Sequence, residues 1–220
     1  MLPMKKIKRF FNVPLDILFP RKKEERKLDE ITAEKLFNQA LKNSHEDKNI
    51  LTIFDYNDDL IRQAIWSLKF RKNTSIARIF AQILYDQLLE DLFDLRAFSN
   101  FKDPVLIPMP ISRERRRERG FNQCELIANE LADLSGGILN LEKNSLIKTK
   151  DTPPQSRTKN KKERLENLKN CFAIKNKEKI KNKNIILLDD VTTTGATLRE
   201  AKKVLRRYGA KKIICITLAH

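Results

Sequence analysis

The 220-residue chain is poor in the residues on which several common types of active site depend. Its three cysteines are widely separated and form no CxxC pair, so neither a disulfide framework nor a zinc site is indicated. Its two histidines, His45 in a charged segment and His220 at the last position, are poor candidates for a catalytic base. We therefore expect reduced thiols, no structural zinc and no Ser–His–Asp catalysis.

Glycine is scarce as well, with five residues in the whole chain. No GxxxxGK(S/T) segment is present and no GxGxxG opens a predicted helix, which removes the main support for a nucleoside triphosphatase. Apolar runs are short: none approaches the roughly 18 residues of a membrane span. Asn12, Pro14 and Asp16 interrupt the apolar stretch nearest the amino terminus. We expect no signal peptide, no membrane span and a cytoplasmic protein.

The most informative segment is Ile185–Thr197, which reads IILLDDVTTTGAT. Its four leading apolar residues predict a buried parallel strand over 185–188, followed by a loop. After Gly195, an apolar face of helical period with Gly209 just beyond it predicts a helix, and Ile213–Leu218 predicts the next strand. The segment thus predicts a strand–helix–strand unit whose loop lies at the carboxyl end of a strand.

This loop has the composition of an anion site. Free backbone N–H groups and the positive end of the helix dipole favour an anion such as phosphate at a helix amino terminus. Gly195 lets the backbone approach that anion, and the threonines of the loop add hydroxyl donors without adding charge. The loop therefore predicts a phosphate cradle.

Asp189 and Asp190, just before the loop, cannot serve the same anion. Carboxylates at this place can accept hydrogen bonds from a vicinal diol or hold Mg²⁺ through water. An acid pair beside a phosphate cradle indicates a site for a ribose 5-phosphate. The alternative, in which the acids only end the strand in a turn, leaves the threonine run unexplained.

Helices and strands alternate along the rest of the chain. Two apolar faces of helical period, over residues 60–68 and 76–88, predict two helices before the sheet. Pro104–Met109 predicts a strand, Phe121–Leu134 a helix and Cys171–Ile174 a short strand. This order favours an α/β fold with a mostly parallel sheet flanked by helices.

Ser112–Gly120 reads SRERRRERG, with five arginines against two glutamates. We expect a loop there, between a strand and a helix, whose guanidinium groups hold a pyrophosphate in bidentate fashion. A nucleic-acid contact and a solvated run of charge are the alternatives. The formal net charge of +16 supports a polyanionic partner, whose binding would weaken steeply with salt.

Ile185–Thr197 resembles the phosphoribosyl pyrophosphate (PRPP) signature of the type I phosphoribosyltransferases at every position of that pattern. Within that superfamily the chain resembles the ComF family of competence-associated, phosphoribosyltransferase-like proteins. Three further stretches carry this resemblance: LKF at Leu68–Phe70, Ile107–Ala132 with its RGFNQ, and Thr152–Phe172. Together the four stretches cover roughly residues 54 to 219 in the order of the family.

The resemblance implies a type I phosphoribosyltransferase-like fold and a Mg²⁺-dependent displacement at the anomeric carbon of PRPP. Asp189 and Asp190 would then be the catalytic acids that stabilise the ribose as it gains positive charge, and also the residues that hold Mg²⁺. The substrate-binding residues that the resemblance implies are Thr192, Thr193, Thr194, Gly195, Ala196, Thr197, Arg115 and Arg119.

The organisation of the chain departs from the family at one point. Many ComF proteins carry an amino-terminal zinc ribbon after a segment like Leu15–Pro20, where this chain continues RKKEERK instead. We expect a charged tail over residues 1–50, helical or partly disordered, and a phosphoribosyltransferase domain over 51–220. Asp151–Lys183, rich in lysine and arginine, is expected to form a mobile lid that excludes water from the sugar.

No segment specifies an acceptor for the phosphoribosyl group. A different class of function is therefore open, in which the protein binds PRPP without turnover or handles single-stranded DNA during uptake, together with other competence proteins. Trp66 is the only tryptophan, and few aromatic residues look exposed, which argues against a stacking platform for a single strand.

Overall fold

Five parallel strands form the central sheet of the described residues, which are 31–40, 50–99, 101–150 and 170–220 of this computed structural model. They are β1 (Ile50–Phe54), β2 (Val105–Pro108), β3 (Asn140–Leu141), β6 (Ile185–Val191) and β7 (Ile213–Ala219). The order across the sheet is β1–β7–β6–β2–β3. The remaining two strands, β4 (Leu146–Lys148) and β5 (Phe172–Ile174), pair antiparallel in a small second sheet.

Six α-helices accompany these strands in the described part of the chain. They are α1 (Ala33–Gln39), α2 (Asp59–Arg71), α3 (Thr74–Ser99), α4 (Arg113–Arg119), α5 (Gln123–Leu134) and α6 (Ala196–Arg207). The α/β fold with a mostly parallel sheet flanked by helices is thus confirmed. None of the helices in these ranges combines the length and the apolar character that a membrane crossing requires.

Strand β6 lies in the middle of the sheet and organises the candidate site. Ile185 to Leu188 are each fully buried, as expected for a parallel strand that is covered on both faces. The strand does not stop at residue 188 as predicted, because its pairing with β7 continues through Asp189 opposite Thr217 to Val191 opposite Ala219. Both acids therefore lie within the paired part of a central strand, just before the loop that leads to α6.

Two elements differ from the sequence predictions. The sheet begins before the two predicted helices, because β1 forms an edge strand that pairs with β7 from Ile50 opposite Cys215. The arginine-rich segment is a short helix, α4, and not a loop. Ser112 caps it by accepting a hydrogen bond from the Arg115 N–H at 3.3 Å, and Gly120 ends it with a φ of +78°. Arginine and glutamate are both good helix formers, so the segment folds as a helix once it is capped.

The helix α1 falls within the segment that the sequence predicted as a charged tail. Its Leu36 is fully buried, and residues Thr32–His220 form one compact unit. The rest of the predicted tail, residues 1–30 and 41–49, and most of the predicted lid, residues 151–169, lie outside the described residues. The domain boundary near residue 50 stays a prediction.

Candidate functional site

The side chain of Asp190 is buried and bonded through both of its oxygens. Its Oδ2 accepts a hydrogen bond from Gln123 Nε2 at 2.8 Å and forms an ion pair with Lys69 Nζ at 3.1 Å. Its Oδ1 accepts a hydrogen bond from the Val191 N–H at 2.7 Å. Three donors thus hold one carboxylate in a fixed orientation at the carboxyl end of β6.

Lys69 was not predicted from the sequence as a site residue. It lies near the end of α2, and only 21% of its side chain is exposed. Burial lowers the pKa of this ammonium group more than any other single cause, but the charge and the hydrogen bond of Asp190, together with the charges of Tyr56 and Asp189, hold the pKa above its ordinary value of 10.5. Lys69 therefore stays charged at neutral pH and partly neutralises the acid pair.

Asp189 is half-buried beside a second carboxylate. Its Oδ1 accepts hydrogen bonds from the Asp190 N–H at 2.9 Å and from the Cys124 thiol at 3.7 Å. Loss of water around the side chain, followed by repulsion from Asp190, raises the pKa of Asp189 from 3.8 to about 7. Burial and the same two acids raise the pKa of the Cys124 thiol well above its usual value, so it remains a protonated donor.

This raised pKa predicts a pH dependence of stability in the absence of Mg²⁺. The folded protein keeps a proton on Asp189 up to about pH 7, whereas the unfolded chain loses that proton near pH 3.8. The folded state binds more protons between these values, so the free energy of unfolding should fall as pH rises through this window. The fall should be at most about 1.4 kcal/mol per pH unit and should level off above the folded pKa.

Urea unfolding of the protein and of Asp189→Asn across this pH range measures the effect. In the variant, the free energy of unfolding should no longer show this fall with pH, because the asparagine side chain carries no titrating proton. The neighbouring groups of Lys69, Asp190 and Cys124 are the same in both proteins. Equal slopes in the two proteins would refute the raised pKa of Asp189.

The loop after β6 is held by its own first threonine. Thr192 is buried, its N–H donates to the Ala219 carbonyl at 3.0 Å, and its Oγ1 accepts a hydrogen bond from the Gly195 N–H at 3.1 Å. The predicted substrate-binding residues Thr193 and Thr194 are exposed, and Thr197 is half-buried. The hydrogen bonds of Thr192 thus fix the shape of the loop, whereas the side chains of Thr193 and Thr194 are accessible to a ligand.

Gly195 is the N-cap residue of α6, with a φ of +65°. The positive φ favours glycine whatever the space around it, and a Cβ atom there would also lie 2.9 Å from Arg199 Nη1 and 3.0 Å from Ile50 Cδ1, so that these side-chain ends would have to shift. The N-cap residue makes no side-chain hydrogen bond to the first turn of this helix, because glycine has no side chain. A twelve-residue helix therefore directs its positive end to the loop beside the acid pair.

The structure connects one predicted arginine to the acid pair. Arg119 Nη1 donates to Gln123 Oε1 at 3.1 Å, and the amide of Gln123 in turn donates to Asp190. Burial, and then repulsion from Arg115, lower the pKa of Arg119, which places the two guanidinium groups in one electrostatic environment. Gln123, itself buried, was not predicted as a site residue, although it ends the RGFNQ motif.

The donor atoms at the end of β6 fit Mg²⁺ at one carboxylate in particular. Ligand atoms of Cys124, Asp189 and Asp190 lie within 4.8 Å of one another. Mg²⁺ prefers oxygen and keeps several waters, so the protonated thiol is a poor ligand. Asp189 Oδ2 has no hydrogen-bond partner among the described residues, whereas both oxygens of Asp190 are already bonded. Asp189 would therefore hold the ion, with Asp190 acting through water.

Comparison with known proteins assigns the chain to a family. The phosphoribosyl transferase domain family matches residues 119–220. Competence protein F of Haemophilus influenzae is 33% identical over 151 residues, which is 68% of this chain and 63% of that protein. The chain belongs to the ComF family. The ComF resemblance and the phosphoribosyltransferase-like fold inferred from the sequence are thus confirmed.

The names of two further relatives refer to competence and to DNA utilization. Competence protein ComFC of Bacillus subtilis is 33% identical over 159 residues, covering 72% of this chain and 58% of that protein. The DNA utilization protein YhgH of Escherichia coli is 29% identical over 175 residues, covering 78% of this chain and 73% of that protein. The chain spans about three fifths of the length of the first two relatives.

Proposed function

We propose that this ComF protein binds PRPP together with Mg²⁺ at the β6–α6 loop and transfers the phosphoribosyl group to an acceptor. The observation that carries the proposal is the uncapped start of α6, with Gly195 at its N-cap, beside two carboxylates on a central strand. The helix start suits the 5-phosphate and the carboxylates suit the ribose hydroxyls, so one ligand satisfies both features.

In this proposal, hydrogen-bond donors and arginines bind the phosphate groups of PRPP, and the carboxylates bind its ribose. Backbone N–H groups of the loop, aided by the hydroxyls of Thr193, Thr194 and Thr197, bind the 5-phosphate. Asp189 and Asp190 accept hydrogen bonds from the ribose, and their negative field stabilises the positive charge that develops at the anomeric carbon. Arg115 and Arg119 bind the departing pyrophosphate. Bound Mg²⁺ would supply further neutralisation of that leaving group. No protein nucleophile is required.

A second candidate function is binding of PRPP without transfer. It is favoured by the contacts of the Asp190 carboxylate, whose oxygens are already bonded to Lys69, Gln123 and the Val191 N–H. A carboxylate engaged in this way is less available to a ribose hydroxyl. The names of the relatives, which refer to competence and DNA utilization, support a context of DNA uptake for either function.

Thermal unfolding with PRPP and Mg²⁺ tests binding, because a ligand that binds only the folded state raises its stability. We expect a shift that requires both ligands. Arg119→Ala should weaken PRPP binding by about 10- to 100-fold, the range for a lost charge-assisted hydrogen bond. Arg117→Ala is the matched control, since that side chain is exposed on the same helix and should have little effect.

Pyrophosphate release separates the two functions. Transfer requires release that depends on an added acceptor, whereas a protein that only binds shows the thermal shift without release under any acceptor offered. Absence of the shift with both ligands present, or equal effects of the two arginine variants, would overturn the proposed site.

A further inference from the structure

Two large aromatic side chains lie exposed and side by side on α2. Trp66 and Phe70 are separated by one helical turn and are 41% and 47% exposed. Their ring centroids are 5.5 Å apart at an interplanar angle of 41°. The opposite face of the helix is packed into the core through fully buried residues such as Ile61 and Leu68. The aromatic pair therefore contributes little to the core and leaves much of its ring surface in water.

A guanidinium group lies against each end of this pair. Arg71 Cζ is 5.3 Å from the centroid of the Trp66 ring, and Arg119 Cζ is 5.1 Å from that of Phe70. Both distances are within the range of cation–π contacts. We call the four side chains Arg71, Trp66, Phe70 and Arg119 the aromatic–arginine row. It corrects the sequence-based argument against a stacking platform, because the only tryptophan of the chain is exposed and paired with a second ring.

The row combines the two kinds of group that single-stranded nucleic acid requires. Flat ring surfaces stack on bases of any sequence, and guanidinium groups attract the phosphates between them. The chain has a formal net charge of +16, and Arg119 belongs to α4, which carries five arginines against two glutamates. A duplex keeps its bases stacked inside and offers no ring face.

We propose that the aromatic–arginine row is a binding site for consecutive bases of single-stranded DNA. The site lies apart from the phosphate loop and needs neither PRPP nor Mg²⁺, although it shares Arg119 with the proposed pyrophosphate contact. It borders the acid pair, because Arg119 contacts Phe70 on one side and donates to Gln123, the hydrogen-bond partner of Asp190, on the other.

Intrinsic fluorescence reads this site directly, since Trp66 is the only tryptophan. Titration with an oligothymidine of about 16 nucleotides, the upper end of site sizes for such modules, should quench the emission to saturation. An abasic strand of equal length carries the same phosphates without bases, and it should bind more weakly and leave the emission nearly unchanged.

Variants measured with a labelled oligothymidine complete the test. Trp66→Leu and Phe70→Leu should each weaken binding by about 5- to 100-fold, the effect of losing one stacked base. Tyr208→Leu is the matched control, because Tyr208 is also 41% exposed but lies at the end of α6, and it should bind as the unaltered protein does. Thermal unfolding of each variant confirms that it is folded.

The proposal is overturned if both leucine variants bind like the tyrosine control, or if the abasic strand quenches as fully as oligothymidine. It is also overturned if the unaltered protein is a dimer that the leucine variants convert to monomers without a change in DNA affinity, since the row would then be a contact between copies. The PRPP-dependent thermal shift, measured in the same leucine variants, reports the phosphate site separately.

Discussion

Replacement of Lys69 by methionine is expected to lower the free energy of unfolding by about 3–5 kcal/mol, the cost of leaving a buried charge without its partner. The variant keeps the length of the apolar stem but removes the ammonium group that lies 3.1 Å from Asp190 Oδ2. The side chain of Asp190 is only 6% exposed, so water cannot replace that partner. For a domain whose total stability is about 5–15 kcal/mol, this is a large loss.

Equilibrium unfolding in urea measures this loss, with Lys203→Met as the control because Lys203 is exposed on α6. The control should stay within about 0.5 kcal/mol of the unaltered protein. Asp190→Asn should also destabilise, since it leaves Lys69 unpaired, and the double variant should be more stable than the sum of the single losses by about 1–3 kcal/mol. Additive losses would show that the two side chains do not interact in solution.

Asp189→Asn is expected to weaken PRPP binding in the presence of Mg²⁺ by about 10- to 100-fold, the range for a lost interaction with a charged group. The same substitution should stabilise the unliganded protein at neutral pH, because it removes a carboxylate that is repelled by Asp190. An asparagine Oδ1 can still accept the hydrogen bonds of the Asp190 N–H and the Cys124 thiol, so the local structure is retained.

These opposite effects on stability and binding distinguish a ligand-binding acid from a structural one. Calorimetric titration with PRPP, and urea unfolding without it, measure the two quantities on the same preparation. Unchanged PRPP affinity in this variant would remove Asp189 from the site, and a loss of stability would contradict the repulsion between the two acids.

Predictions from contiguous sequence succeeded where a short segment contains the whole element. Ile185–Thr197 predicted a buried strand, its loop and the start of α6, because each depends on residues that are neighbours in the chain. The same reasoning missed β1, because its pairing partner β7 lies about 165 positions away in the chain. It also predicted α4 as a loop, because the high charge of the segment was considered and its capping residues, Ser112 and Gly120, were not.

The site shows the same division. The acid pair and the phosphate loop were visible as a motif, whereas Lys69 and Gln123 reach Asp190 from helices that lie far from it in sequence. A signal for both existed, since each lies in a stretch that resembles the ComF family. Their contact with the carboxylate had no local signature, because hydrogen bonds between distant elements follow from packing.

By itself, the sequence determined the order of most elements, the family and the position of the acidic strand end, since periodicity and capping are local properties of the chain. Only the tertiary structure decided which charges meet. It paired Lys69 with Asp190, and it left Trp66 and Phe70 exposed side by side. The guanidinium group that covers Phe70 belongs to Arg119, which lies on a different helix. Burial and ionisation depend on distances across the folded molecule, and no local pattern contains them.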